Sequence, residues 1–161
     1  MQTADELRTI RVWLVMFVVG LVLSGVTAFP LERETGWLAS FVSVHAVFPR
    51  SLVEWIERVH AALRDEGAIY PFLAYGTDWL AFAHLVLAVA FVGPMVNPVR
   101  NKWVLQFGLI ACGSVPLLAL IAGPIRGIPF AWRLIDCSFG VFGAIPLWIA
   151  LRHTNRLERQ R

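Results

Sequence analysis

Apolar and polar residues fall along this chain in long blocks rather than in a fine alternation. Four blocks are apolar almost throughout: positions 12–29, 79–96, 103–122 and 129–151. A bilayer core about 30 Å thick takes roughly 20 residues of helix, so each block predicts a membrane-spanning helix. The first carries no charge, and the fourth contains Arg133 and Asp136. Pro94, Pro116, Pro124 and Pro146 are tolerated where neighbouring helices re-satisfy the backbone, and Pro116 and Pro146 predict kinks. Trp13, Trp79, Trp103 and Trp148 stand near block ends, where indole rings favour the membrane interface.

The stretch 30–77 between the first two blocks follows a different pattern. Leu52, Val53, Ile56, Val59 and Leu63 recur at helical spacing, and Glu54, Glu57, Arg58, Arg64 and Asp65 take the opposite face. Ser51 and Glu54 have the spacing of a capping box after Pro49, and Gly67 is a stop signal. This predicts an amphipathic helix over 52–65. A more apolar one is expected over 36–48, with Trp37, Leu38, Phe41, Val42 and Val44. Both are too short and too charged to span, so they should lie on the membrane surface or cap the bundle. Thr77 is the expected N-cap of the second span. The whole chain, 1–161, then reads as one all-α integral membrane domain of four spans with a helical cap segment at 30–77.

Composition agrees. Of 161 residues, 58% are hydrophobic and 16% charged, against about 45–50% and 25% in an ordinary soluble domain. A small soluble domain is mostly surface and has no use for such an excess. A soluble enzyme, a disordered tail and a disulfide scaffold are excluded. Cys112 and Cys137 both fall inside apolar blocks with no C-x-x-C, and read as packing residues.

Charge sets the orientation. Arg8, Arg11, Arg100, Lys102, Arg152, Arg156, Arg159 and Arg161 share one side of the four spans. The other side has Arg33, Arg50, Arg58, Arg64 and Arg126 set against seven carboxylates between Glu32 and Asp78. The positive-inside rule puts both termini in the cytoplasm and 30–77 outside, in an inner, cytoplasmic membrane. Residues 1–28 resemble a signal peptide in their small residues near Val26, Thr27 and Ala28. The apolar run is longer than the usual 7–15 residues, so an uncleaved span is expected. The basic C-terminal stretch suits an anionic inner leaflet, and no nucleic-acid motif is present.

Ionisable groups inside spans are expensive and mark a functional hypothesis. Arg133 and Asp136 are three apart, so they share a face of the fourth span. On the second span Thr77, Ala81, His84 and Ala88 form a small, polar stripe that should face the interior. At about 1.5 Å per residue, Asp136 and His84 lie at matching depths. A pocket of His84, Arg133 and Asp136, rimmed by Asp78 and Arg126, is expected to open outward. His84 and Asp136 would serve as catalytic acid/base candidates, and Arg133 would take an anionic group. The alternative is a structural Arg133–Asp136 pair that holds the fourth span in register.

Val-His-Ala occurs twice, around His45 and His60. Two such histidines are weak metal or haem candidates, because no carboxylate or cysteine stands at short zinc-site spacing. No cofactor is implied by any motif. His153 is expected to be solvated or to touch headgroups. Gly20/Ser24/Ala28, Gly140/Ala144 and Gly108/Cys112/Gly113 are small-residue faces that allow close helix approach or oligomer contact. The leading expectation is a protein that binds a lipid or small amphiphile, or a subunit of a membrane assembly. The alternatives are a membrane-embedded enzyme acting on a lipid or quinone, and a proton-coupled carrier.

Overall fold

A computed structural model describes residues 2–160; Arg161 of the basic tail lies outside the described residues. Among them the chain is all helix, with no strand. Four stretches are long and apolar enough to cross a membrane: Thr3–Ala28, Pro71–Val96, Lys102–Ile125 and Phe130–Arg159. The elements are α1 (Gln2–Ala28), α2 (Leu31–Val44), α3 (Arg50–Ile69), α4 (Ala74–Ala90), α5 (Val92–Val96), α6 (Lys102–Ile125) and α7 (Phe130–Arg159). A 3₁₀ turn at Pro71–Leu73 leads into α4, and Phe91 separates α4 from α5 within the second span.

The long helices hold the hydroxyls of an apolar sequence without help from water. Thr27, Ser114 and Thr154 each donate to the carbonyl four residues back, at 2.8–2.9 Å. A hydroxyl that bonds its own turn can sit in an apolar helix without an unmet donor.

The four long apolar helices pack in pairs, and Phe91 at the end of α4 also reaches Gly108 of α6. α4 packs on α1, α1 on α7, and α7 on α6. The buried core lies toward the end that holds both chain ends, here called the termini end. Ile10 and Leu14 of α1, Phe91, Leu105 of α6, and Leu147 and Ala150 of α7 are almost fully buried there. The Phe17 and Phe91 rings lie 4.7 Å apart. Among apolar helices in an apolar solvent, association rests on close packing rather than on escape from water. Gly108 gives room to Leu147 and Phe91, and Gly140 brings α7 against the Cys112 carbonyl of α6. Outward faces such as Leu117, Leu118 and Ile121, or Phe139 and Phe142, stay exposed and call for an apolar surrounding.

α6 turns into α7 through a Schellman motif. The Ile128 amide donates to the Gly123 carbonyl at 2.9 Å and the Gly127 amide to the Pro124 carbonyl at 3.1 Å. Gly127 takes φ +68°, which the motif requires and glycine supplies without strain.

At the opposite, hairpin end, α2 and α3 form an antiparallel pair around Val42, Leu52 and Ile56, with Trp132 of α7 packed against the same cluster. Both helices start before their expected bounds, and α2 stops at Val44, short of the expected Phe48. α2 starts at Leu31, and α3 starts at Arg50 and runs past Gly67 to Ile69. The capping box does not form. Pro49 is the N-cap, its carbonyl accepts from Leu52 and Val53, and no side chain caps the helix. The Glu54 carboxylate instead accepts from Arg50 Nε at 2.9 Å. Thr77 also misses its expected role, because α4 begins three residues earlier at Ala74.

Candidate functional site

The structure does not join the ionisable residues of the spans into one cluster. Arg133 sits in the first turn of α7. Its aliphatic stem fills the space left by Gly123, where a Cβ would stand 2.4 Å from Cδ. Its guanidinium carbon is 5.3 Å from the Phe130 ring centroid, in cation–π range. Its Nε is buried and has no hydrogen-bond partner. Asp136 is half-buried one turn deeper, and among the described residues it forms no ion pair with Arg133. The side chains share a helix face, but the arginine stem is drawn toward α6 instead.

His84 is half-buried against α1, its Cβ 3.1 Å from the point a Cβ on Gly25 would occupy. Its Nδ1 is 2.7 Å from the Leu80 carbonyl, as donor to its own helix. Ala81 and Ala88 of the same stripe are buried. The stripe packs on α1, and α1 stands between α4 and α7. Equal depth therefore does not bring His84 to Asp136. Asp78 is half-buried and Arg126 exposed, and neither is ion-paired among the described residues.

The two outer histidines also stay apart. His60 lies over Gly36, its Nδ1 3.5 Å from Thr35 Oγ1. His45 stacks on Phe41 at 4.3 Å and its Nδ1 meets the Phe41 carbonyl at 2.7 Å. Gly36 and His45 are separated by about 13 Å along a helix axis, too far for one ion to bridge. No group of three metal-ligating side chains occurs among the described residues.

Two features escaped the pattern reading. At the termini end, His153 is not solvated. It meets the Glu6 carboxylate through Nδ1, and Arg156 Nη1 approaches the other carboxylate oxygen at 3.7 Å. Lys102 adds a 2.7 Å ion pair to Glu158. These contacts tie α1 to α7 and α6 to α7. The antiparallel placement of both termini on one side was the available signal, since it sets Glu6 beside the basic last turns of α7.

The second is a cleft of about 550 Å³ at the hairpin end. The end of α1, the start of α2, the last turns of α3 and the first turn of α4 enclose it. Ala28, Phe29, Leu63, Leu73 and Ala74 form an apolar part of its lining. Glu32, Arg33, Glu66, Tyr70 and Thr77 bring polar groups to the same space. It lies where the apolar run of α1 stops. His84, Asp78, Arg126, Arg133 and Asp136 do not line it.

No family model, no curated protein and no solved structure matches this chain.

Proposed function

We propose that this chain is an integral membrane protein whose task is to hold a lipid or other small amphiphile in the cleft at the hairpin end. The carrying observation is the lining of that cleft. A lining that combines apolar side chains with charged groups of both signs matches a molecule that has a polar head and an oily body. The position at the end of the spans suits such a ligand, which partitions to the membrane boundary. The distribution of basic residues supports an orientation with the termini end in the cytoplasm and the cleft on the outer side of a cytoplasmic membrane. The enzyme and carrier readings have less support, because His84 and Asp136 share no hydrogen bond and face different neighbours.

The test is native mass spectrometry of the protein purified in mild detergent, beside the variant Gly67→Phe. Gly67 lines the cleft, and a Cβ there would meet only a Glu32 oxygen at 3.8 Å. The larger side chain should fill the cleft without disturbing α3, where glycine is a poor helix former. The wild type should retain a lipid-sized adduct that the variant lacks. A bare wild-type chain, or an adduct that survives the substitution, would refute the reading.

A further inference from the structure

The charges around the cleft have an unusual relation to one another. Glu32 of α2, Arg33 beside it and Glu66 of α3 line one space, yet among the described residues none of the three forms an ion pair. Glu32 reaches across to the last turn of α3, its Oε2 3.8 Å from where a Gly67 Cβ would be. Glu66 stands in that same turn. Two carboxylates from facing helices thus border the cleft, and among the described residues neither is neutralised by an ion pair. Arg33 contributes a positive charge to the same lining.

Resting on the amphiphile reading above, we infer that the cleft selects a zwitterionic headgroup that carries an ammonium and a phosphate, presented by a membrane lipid. The ammonium is placed against Glu32 and Glu66, with the Tyr70 ring in the same lining, and the phosphate against Arg33. Unpaired charges of both signs around one cleft are the complement of a ligand that carries both signs. An anionic headgroup would meet two carboxylates with a single arginine to offset them. A guanidinium presents a forked set of donors to phosphate oxygens, which suits the other end.

The experiment uses the full-length protein in mild detergent, delipidated and titrated with phosphatidylethanolamine or phosphatidylglycerol of the same acyl chains. Binding is read by native mass spectrometry. The wild type should bind the ethanolamine lipid about tenfold more tightly, the ratio that a difference of one well-placed charge contact gives. Glu32→Gln with Glu66→Gln should abolish that preference while it leaves binding of the glycerol lipid intact or stronger. Arg33→Gln should weaken both lipids, since both carry phosphate. Soluble phosphoethanolamine should compete weakly, because it lacks the chains that cover the apolar part of the lining. Equal affinity of the wild type for both lipids would overturn the headgroup inference and leave the amphiphile cleft standing. So would a preference that survives the double substitution. Complete displacement by phosphoethanolamine at matched concentration would assign the site to a free headgroup instead. Loss of neither lipid in Gly67→Phe would remove the cleft itself.

Discussion

Gly140 is the tightest test of how the spanning helices fit together. A methyl group there would stand 2.4 Å from the Cys112 carbonyl oxygen, 3.0 Å from Pro116 Cδ and 3.1 Å from Val115 Cβ. The first of these is backbone and has no rotamer to escape into. Ordinary van der Waals contact begins at 3.4 Å, so Gly140→Ala must part α6 and α7 by about 1 Å. A gap of that size forfeits about a quarter to a half of the dispersion attraction across the contact, and overpacking of a fitted core costs about 1–3 kcal/mol. The backbone clash puts Gly140→Ala at the upper end, about 2–3 kcal/mol. For a chain of this length that lowers the melting temperature by about 4–12 °C. The matched control is Gly20→Ala, because nothing lies within 4 Å of a Cβ at Gly20. Alanine there should leave stability unchanged or raise it by up to about 1 kcal/mol through helix propensity. Both are read by tryptophan fluorescence during thermal unfolding in one detergent. If Gly140→Ala melts with the wild type, α6 and α7 do not meet as described.

Glu6→Gln removes the charge and one of the two acceptor oxygens that His153 and Arg156 share, and with Glu6 only 17% exposed the loss should be about 1–2 kcal/mol in the same melt. His153→Gln in the Glu6→Gln background should add little, and a full second loss would show that the two side chains do not act together. Arg133→Leu and Asp136→Leu should couple by less than about 1 kcal/mol, because among the described residues the two form no ion pair; a coupling of about 2–3 kcal/mol in the double-mutant cycle would contradict the geometry. Reporter fusions after Arg161 and near Gly67 should fall on opposite sides of the membrane, and identical readouts would reject the proposed orientation.

The spans were legible because length and apolar composition alone define them; 12–29 and 103–122 fall inside α1 and α6 apart from Phe29. The helix starts were not. Ser51 and Glu54 have the capping spacing, but Pro49 already ends the preceding turn and Arg50 competes for the Glu54 carboxylate. The reading of His84 shows a deeper limit. Periodicity identifies the face of α4 that carries Ala81, His84 and Ala88, and depth follows from helical rise. Neither says which helix that face will meet. Pairing is settled by detailed fit, here Gly25 of α1 against the Ala81 carbonyl. The cleft was invisible for a related reason. Glu32, Arg33 and Glu66 look like ordinary surface charges until the α2–α3 turn folds them onto the end of α1.

The pairing of the helices has a consequence for how the protein is made. α1 is synthesised before the other elements, yet its partner along the termini-end core is α7. Glu6 and His153 are 147 positions apart. At about 5–20 residues per second, α1 waits roughly 7–30 s before that partner emerges from the ribosome. During the wait Ile10, Leu14 and Phe17 have α4, its flanking residues and then α6, but not Leu147 and Ala150 of α7. A nascent chain arrested before α7 would therefore expose an unfinished helix face together with an uncompensated Glu6 at the membrane boundary.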